Sequence, residues 1–114
     1  MHGTVDSDDT IANAEHDFPA LQRFLAAYFH EDWQEEHAAT NAVVAAYLRD
    51  APAATVAATA GDIDRLLGMR LDDASLSQLL RDGFECNYVP EVDELSARAW
   101  LERVRSQMRR PPRD

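Results

Sequence analysis

The stretch "FPALQRFLAAYFHEDW", residues 18–33, carries the clearest periodicity in the chain. Phe18, Leu21, Leu25 and Tyr28 recur at steps of three, four and three, and Phe24 and Phe29 widen the stripe. That is the period of a helix with one buried face. Asp17 stands where an N-cap belongs, and Pro19 falls in the first turn, where its missing N–H is not needed. The spacing predicts a first helix over 18–29, and its density of large apolar residues makes helix packing the organising principle.

Downstream runs agree. "TNAVVAAYLRD" (40–50) puts Val43, Val44, Tyr47 and Leu48 on one face, with Thr40 or Asn41 as cap, and Pro52 stops it. "AATVAATAGDIDRLLGM" (53–69) follows with Val56, Ala60, Ile63 and Leu67 in register. Gly61 allows a kink there, and Gly68 is a terminator. "DASLSQLLRDG" (73–83) is a short helix capped by Asp73 or Ser75 and closed by Gly83. "FECNYVPEVDE" (84–94) breaks the pattern and reads as an extended segment packed on the body. "SARAWLERVRSQM" (96–108) turns Ala97, Trp100, Leu101, Val104 and Met108 inward. The expectation is an all-α, compact single-domain bundle of about five helices over residues 17–109. A flexible acidic lead (1–16) precedes it, and a frayed tail (110–114) comes after it.

The chain has 114 residues and a net charge of −10, with eleven cationic side chains that are all arginine. Charge is unevenly spread. Residues 1–50 hold ten acids and two arginines, 51–94 nine acids and three, and 95–114 two acids and six. The long acidic part is repelled by nucleic acid and anionic membranes and attracted to basic partners. No apolar run reaches the ~18 residues of a membrane span, and the N-terminus has no secretory pattern. The single cysteine, Cys86, cannot form an internal disulfide. These features point to the cytoplasm.

Chemistry-bearing side chains concentrate in "YFHEDWQEEH", residues 28–37. A metal site is one reading, since His30, Glu31, Asp32, Glu35, Glu36 and His37 are all capable ligands. Their spacing nevertheless matches no HExxH-type motif. Acid–base catalysis needs a carboxyl with a raised pKa in a cleft, and a short charged run implies none. No Gly-rich phosphate loop or nucleophile motif occurs elsewhere. The sequence therefore predicts no enzyme and no cofactor. Structurally, Asp32-x-x-Glu35 has the form of a capping box, with Tyr28, Phe29 and Trp33 folding onto the core and His16 and His30 at the surface. Recognition of a basic partner by the four acids is the remaining reading.

The quoted motif also resembles the opening of the immunity proteins of contact-dependent growth inhibition systems, through Phe18, Pro19, Leu21, Tyr28, Phe29, His30, Asp32 and Trp33. Ile63, Asp64, Arg65, Leu66 and Leu67 match a middle helix of that family, and Trp100, Leu101, Val104 and Arg105 a closing one, so the likeness spans 18–106. The resemblance implies a small cytoplasmic protein that binds and neutralises a cognate toxin C-terminal domain. Such toxins are often nucleases, and the charge balance independently suits occlusion of a basic groove. A monomer is expected when free. The resemblance transfers no contact residues. The expected partner-binding set is Tyr28, His30, Glu31, Asp32, Trp33, Glu35 and Glu36, together with Asp62 and Asp64, the latter two forming a second surface with Asp72 and Asp73. The alternative is an acidic helical adaptor for another basic protein.

Overall fold

A computed structural model describes residues 13–109. The five expected helices are found as α2 (Pro19–Tyr28), α4 (Thr40–Asp50), α5 (Ala53–Gly68), α6 (Asp73–Gln78) and α7 (Ala97–Arg109). Two four-residue helices are added, α1 (Ala14–Asp17) and α3 (Trp33–Glu36), and no strand forms among the described residues. Ala14 is fully buried, so the folded body starts before the expected boundary at 17. The rest of the expected lead, 1–12, and the tail from 110 lie outside the described residues.

Helix α5 is central, packing on α2 along one side and on α7 along the other, while α4 and α6 lean on α7. Its entry is set by Pro52, which holds Ala51 extended (φ −91°, ψ 143°) and forces a two-residue corner after α4. The helix passes through Gly61 without a break. A Cβ added there would meet nothing within 4 Å. Gly61→Ala is therefore expected to raise the unfolding free energy by about 1 kcal/mol, read as a higher urea midpoint at unchanged slope.

Several expected helix ends are corrected. Phe18, not Asp17, occupies the N-cap of α2, and Ala39, not Thr40 or Asn41, that of α4; neither end has a side-chain cap of its own. Asp72 caps α6 in place of Asp73 or Ser75, its carboxylate accepting the Ser75 N–H at 2.7 Å. That bond holds the Asp72 carboxyl below its ordinary range. Gly68 and Gly83 close their helices with negative φ, and the left-handed positions fall instead on Arg70, Glu85 and Glu94. α5 ends at Met69, whose N–H donates back to Leu66 O and Leu67 O, and Arg98 of α7 donates to Leu67 O in the last turn and to Leu71 O just beyond it. Beyond α6 the chain widens into one π-helical turn, Leu79–Gly83. The segment after it is only partly the extended run expected over 84–94: Phe84 keeps helical dihedrals, Glu85 is left-handed, Val89 is extended, and Pro90–Asp93 forms a short 3₁₀ turn. Phe84, Cys86, Tyr88 and Pro90 are buried in alternation.

Candidate functional site

The acidic turn between α2 and α3 is built on a cluster of four rings. Phe29 is completely buried, with ring centroids 5.6 Å from Trp33, 5.3 Å from Trp100 and 6.1 Å from Tyr88. Tyr88 closes the group, 5.7 Å from Trp33 and 5.0 Å from Trp100. Edge-to-face and tilted pairs of this kind add to the area they bury. The segment 84–94 clamps the same point through hydrogen bonds. Phe29 O accepts the Asn87 backbone N–H at 2.8 Å and the Asn87 amide at 3.2 Å, which satisfies a carbonyl freed where α2 ends. Asn87 carries no signal in the sequence, because its partner lies 58 positions away.

On this base the polar members of the motif face outward. Glu31, Asp32, Glu35 and Glu36 are all exposed, and His30 is half-buried. Asp32 does occupy the N-cap of α3, but its carboxylate makes no capping bond, so the expected capping box does not form. Its own N–H donates to His30 Nδ1 at 3.1 Å, and His30 Nε2 lies 3.4 Å from Glu36. The imidazole thus ties the two sides of the turn together. Trp33, only 6% exposed, belongs to the core and offers no surface. Among the described residues no three His, Cys, Asp or Glu side chains gather as a metal-binding group.

The second expected surface is dispersed. Asp62 is buried: its Oδ2 accepts the N–H groups of Ala20 and Leu21 at 2.9 and 3.1 Å, and its Oδ1 pairs with Arg65. It therefore caps α2 from across the core, which removes it from any exposed patch. Arg65 also donates to Asp17 O and lies 4.9 Å over the Phe18 ring, closing that corner. Asp64 is half-buried and pairs with Arg105 at 3.1 Å and with Arg109. Asp72 and Asp73 remain exposed at the start of α6. Three arginines of the cationic C-terminal stretch, at 98, 105 and 109, thus bind α5 and Leu71 just beyond its end.

Burial acts on four further groups, Cys86, Tyr88, Tyr47 and Tyr28. Burial lifts the Cys86 thiol to about 12, which leaves it protonated and unreactive in the fold. Burial, then the 2.7 Å bond to Asp93, raises Tyr88. Tyr47 shares a buried 2.8 Å hydroxyl bond with Thr59. Tyr28 is half-buried, and its hydroxyl donates to Asp50 at 3.4 Å.

Comparison with known proteins gives a family and a fold. The family model of the CdiI immunity protein matches residues 17–108. The fold is similar to a chain in the crystal structure of a CdiA-CT/CdiI complex from Y. kristensenii 33638. The TM-score is 0.77 and the identity 27%, over 81% of this chain and 98% of that one. No curated protein matches.

Proposed function

The chain belongs to the CdiI immunity protein family, and from that premise we propose that it neutralises a basic nuclease toxin by laying the acidic α2–α3 turn against it. Its partner is the C-terminal toxin domain of a contact-dependent growth inhibition system, and it acts by binding rather than by catalysis. The finer reading rests on one observation. Glu31, Asp32, Glu35 and Glu36 stand exposed on a turn whose backbone is pinned by the buried Phe29 and Trp33. Carboxylates on a rigid base compete for a groove shaped to hold phosphates, with little ordering cost at the moment of contact.

A cytoplasmic monomer suits this role. No helix among the described residues is long and apolar enough to cross a membrane. The large hydrophobic side chains left exposed there are Met69 and Val92, two residues where an obligate dimer buries a broad apolar patch.

The kinetic test comes from the placement of the charges. Glu35→Arg combined with Glu36→Arg is expected to slow association with the toxin domain about tenfold or more at low salt, with a smaller change in dissociation. High salt should narrow the difference. Stopped-flow mixing at two ionic strengths measures both, and an unchanged on-rate would take the turn out of the interface.

A further inference from the structure

Buried rings hold the acidic turn from beneath, and His30 holds it from within. Both nitrogens of its imidazole are engaged inside the motif. The Asp32 N–H donates to Nδ1 at 3.1 Å, and Nε2 lies 3.4 Å from a Glu36 carboxylate oxygen. Imidazole chemistry then places the proton. Nδ1 accepts a hydrogen bond, so it carries a lone pair, and the single ring proton of the neutral form sits on Nε2, toward Glu36. A second proton would enter at Nδ1, against the Asp32 N–H. The arrangement exists only with a neutral ring in one tautomer.

The backbone around the ring is closed in the same way. Trp33 N–H donates to His30 O at 3.0 Å, and Glu35 N–H donates to Asp32 O at 2.9 Å, so two overlapping turns enclose residues 30–35. Between them the Asp32 N–H goes to the imidazole. A side chain that accepts the N–H two residues on closes the same small ring as an aspartate or asparagine in an Asx turn. Histidine does this with an uncharged acceptor and keeps a donor for Glu36. An aspartate at 30 would make the turn bond but repel the Glu36 carboxylate.

We infer that His30 is a positioning residue for toxin binding: as the neutral Nε2–H imidazole it sets where Asp32 and Glu36 stand, and it offers the toxin domain no free ring nitrogen. The inference rests on the acidic-turn reading and deepens it, since His30 acts through the carboxylates rather than beside them. Groups already ordered in the free chain lose less freedom on contact, so the effect is read in affinity.

NMR of the isotopically labelled chain, free and bound to a catalytically silent cognate CdiA C-terminal domain, tests the geometry. A scalar coupling between the Asp32 backbone nitrogen and His30 Nδ1, transmitted through the hydrogen bond, is expected in both states. Its absence from the free chain, or its loss on binding, overturns the inference. Affinity supplies the functional arm. His30→Ala removes both contacts and no charge, and is expected to raise Kd about tenfold. His30→Asn, whose amide oxygen can accept the Asp32 N–H, should return to within about threefold of the parent. Parent-like binding by His30→Ala, or no recovery in His30→Asn, overturns the positioning role. Thermal melts accompany both variants, and if His30→Ala melts early, the coupling and His30→Asn decide. An intact coupling beside an unchanged on-rate in the Glu35→Arg, Glu36→Arg chain removes the acidic-turn reading and the positioning role with it, whereas a missing coupling removes the positioning role alone.

Discussion

Phe29→Ala is expected to lower the unfolding free energy by about 3–5 kcal/mol, the range for deleting a fully enclosed ring. Phe29 has no exposed surface, and the rings of Phe24, Trp33, Tyr88 and Trp100 all meet it, the first at 5.8 Å and edge-on. These neighbours come from four parts of the chain, namely α2, α3, the segment 84–94 and α7. The void left by the ring cannot be closed by shifting one of them without disturbing the others. Urea denaturation at constant slope measures the loss, and Glu31→Ala on the exposed side of the same turn should stay within about 0.5 kcal/mol. Near-parent stability in Phe29→Ala would mean that the turn is not pinned by the cluster. The rigid-base account of the acidic patch would then fail with it.

The same residue shows what is legible in the sequence. Phe29 extends the apolar stripe of residues 18–28, so its burial follows from the 3.6-residue period, as does the all-α class. The period also locates four further helices to within a few residues, and the Val-Pro-containing break at 84–94 is visible as a loss of that period. Helix ends are a different matter. Asp17, Thr40 and Asp73 are all chemically suitable caps, but which residue caps is decided by where the chain enters the helix, within one residue. The entry to α2 is settled by Asp62, 41 positions from its partner Leu21, and no local pattern reports that.

A partial signal for Asp62 does exist. It lies three residues after Thr59 and four before Leu66, which are both buried, and so on the flank of the apolar face of α5. Asp64, two residues on, is turned about 200° around the axis and cannot share a surface with it. Treating "GDIDRLL" as two aspartates of one patch ignores that rotation. The arginines of α7 are likewise opaque, because Arg105 and Arg109 find Asp64 across 41 and 45 positions. Net charge by segment does not show that pairing, in which one carboxylate of α5 offsets one of the positive charges of the C-terminal end.

Asp62→Ala provides the second large effect, about 2–4 kcal/mol of lost stability. Two terms contribute. The carboxylate caps the N-terminus of α2, and removing such a cap costs about 0.5–2 kcal/mol. Leu21 is fully buried, so its N–H is left without a partner, which adds about 1–3 kcal/mol. The ion pair itself adds little, because the Arg65 side chain is 58% exposed and water takes up its charge. Asp62→Asn separates the terms, since an amide oxygen still accepts from the backbone while the charge at the helix end is gone; it should lose about 1–2 kcal/mol. Asp64→Ala is the control, a partly exposed carboxylate with two arginine partners and no backbone donor, expected to cost about 1 kcal/mol or less. Chemical denaturation of the three variants ranks them. Equal losses for Asp62→Ala and Asp64→Ala would mean that water caps α2 and that the bond across the core is incidental.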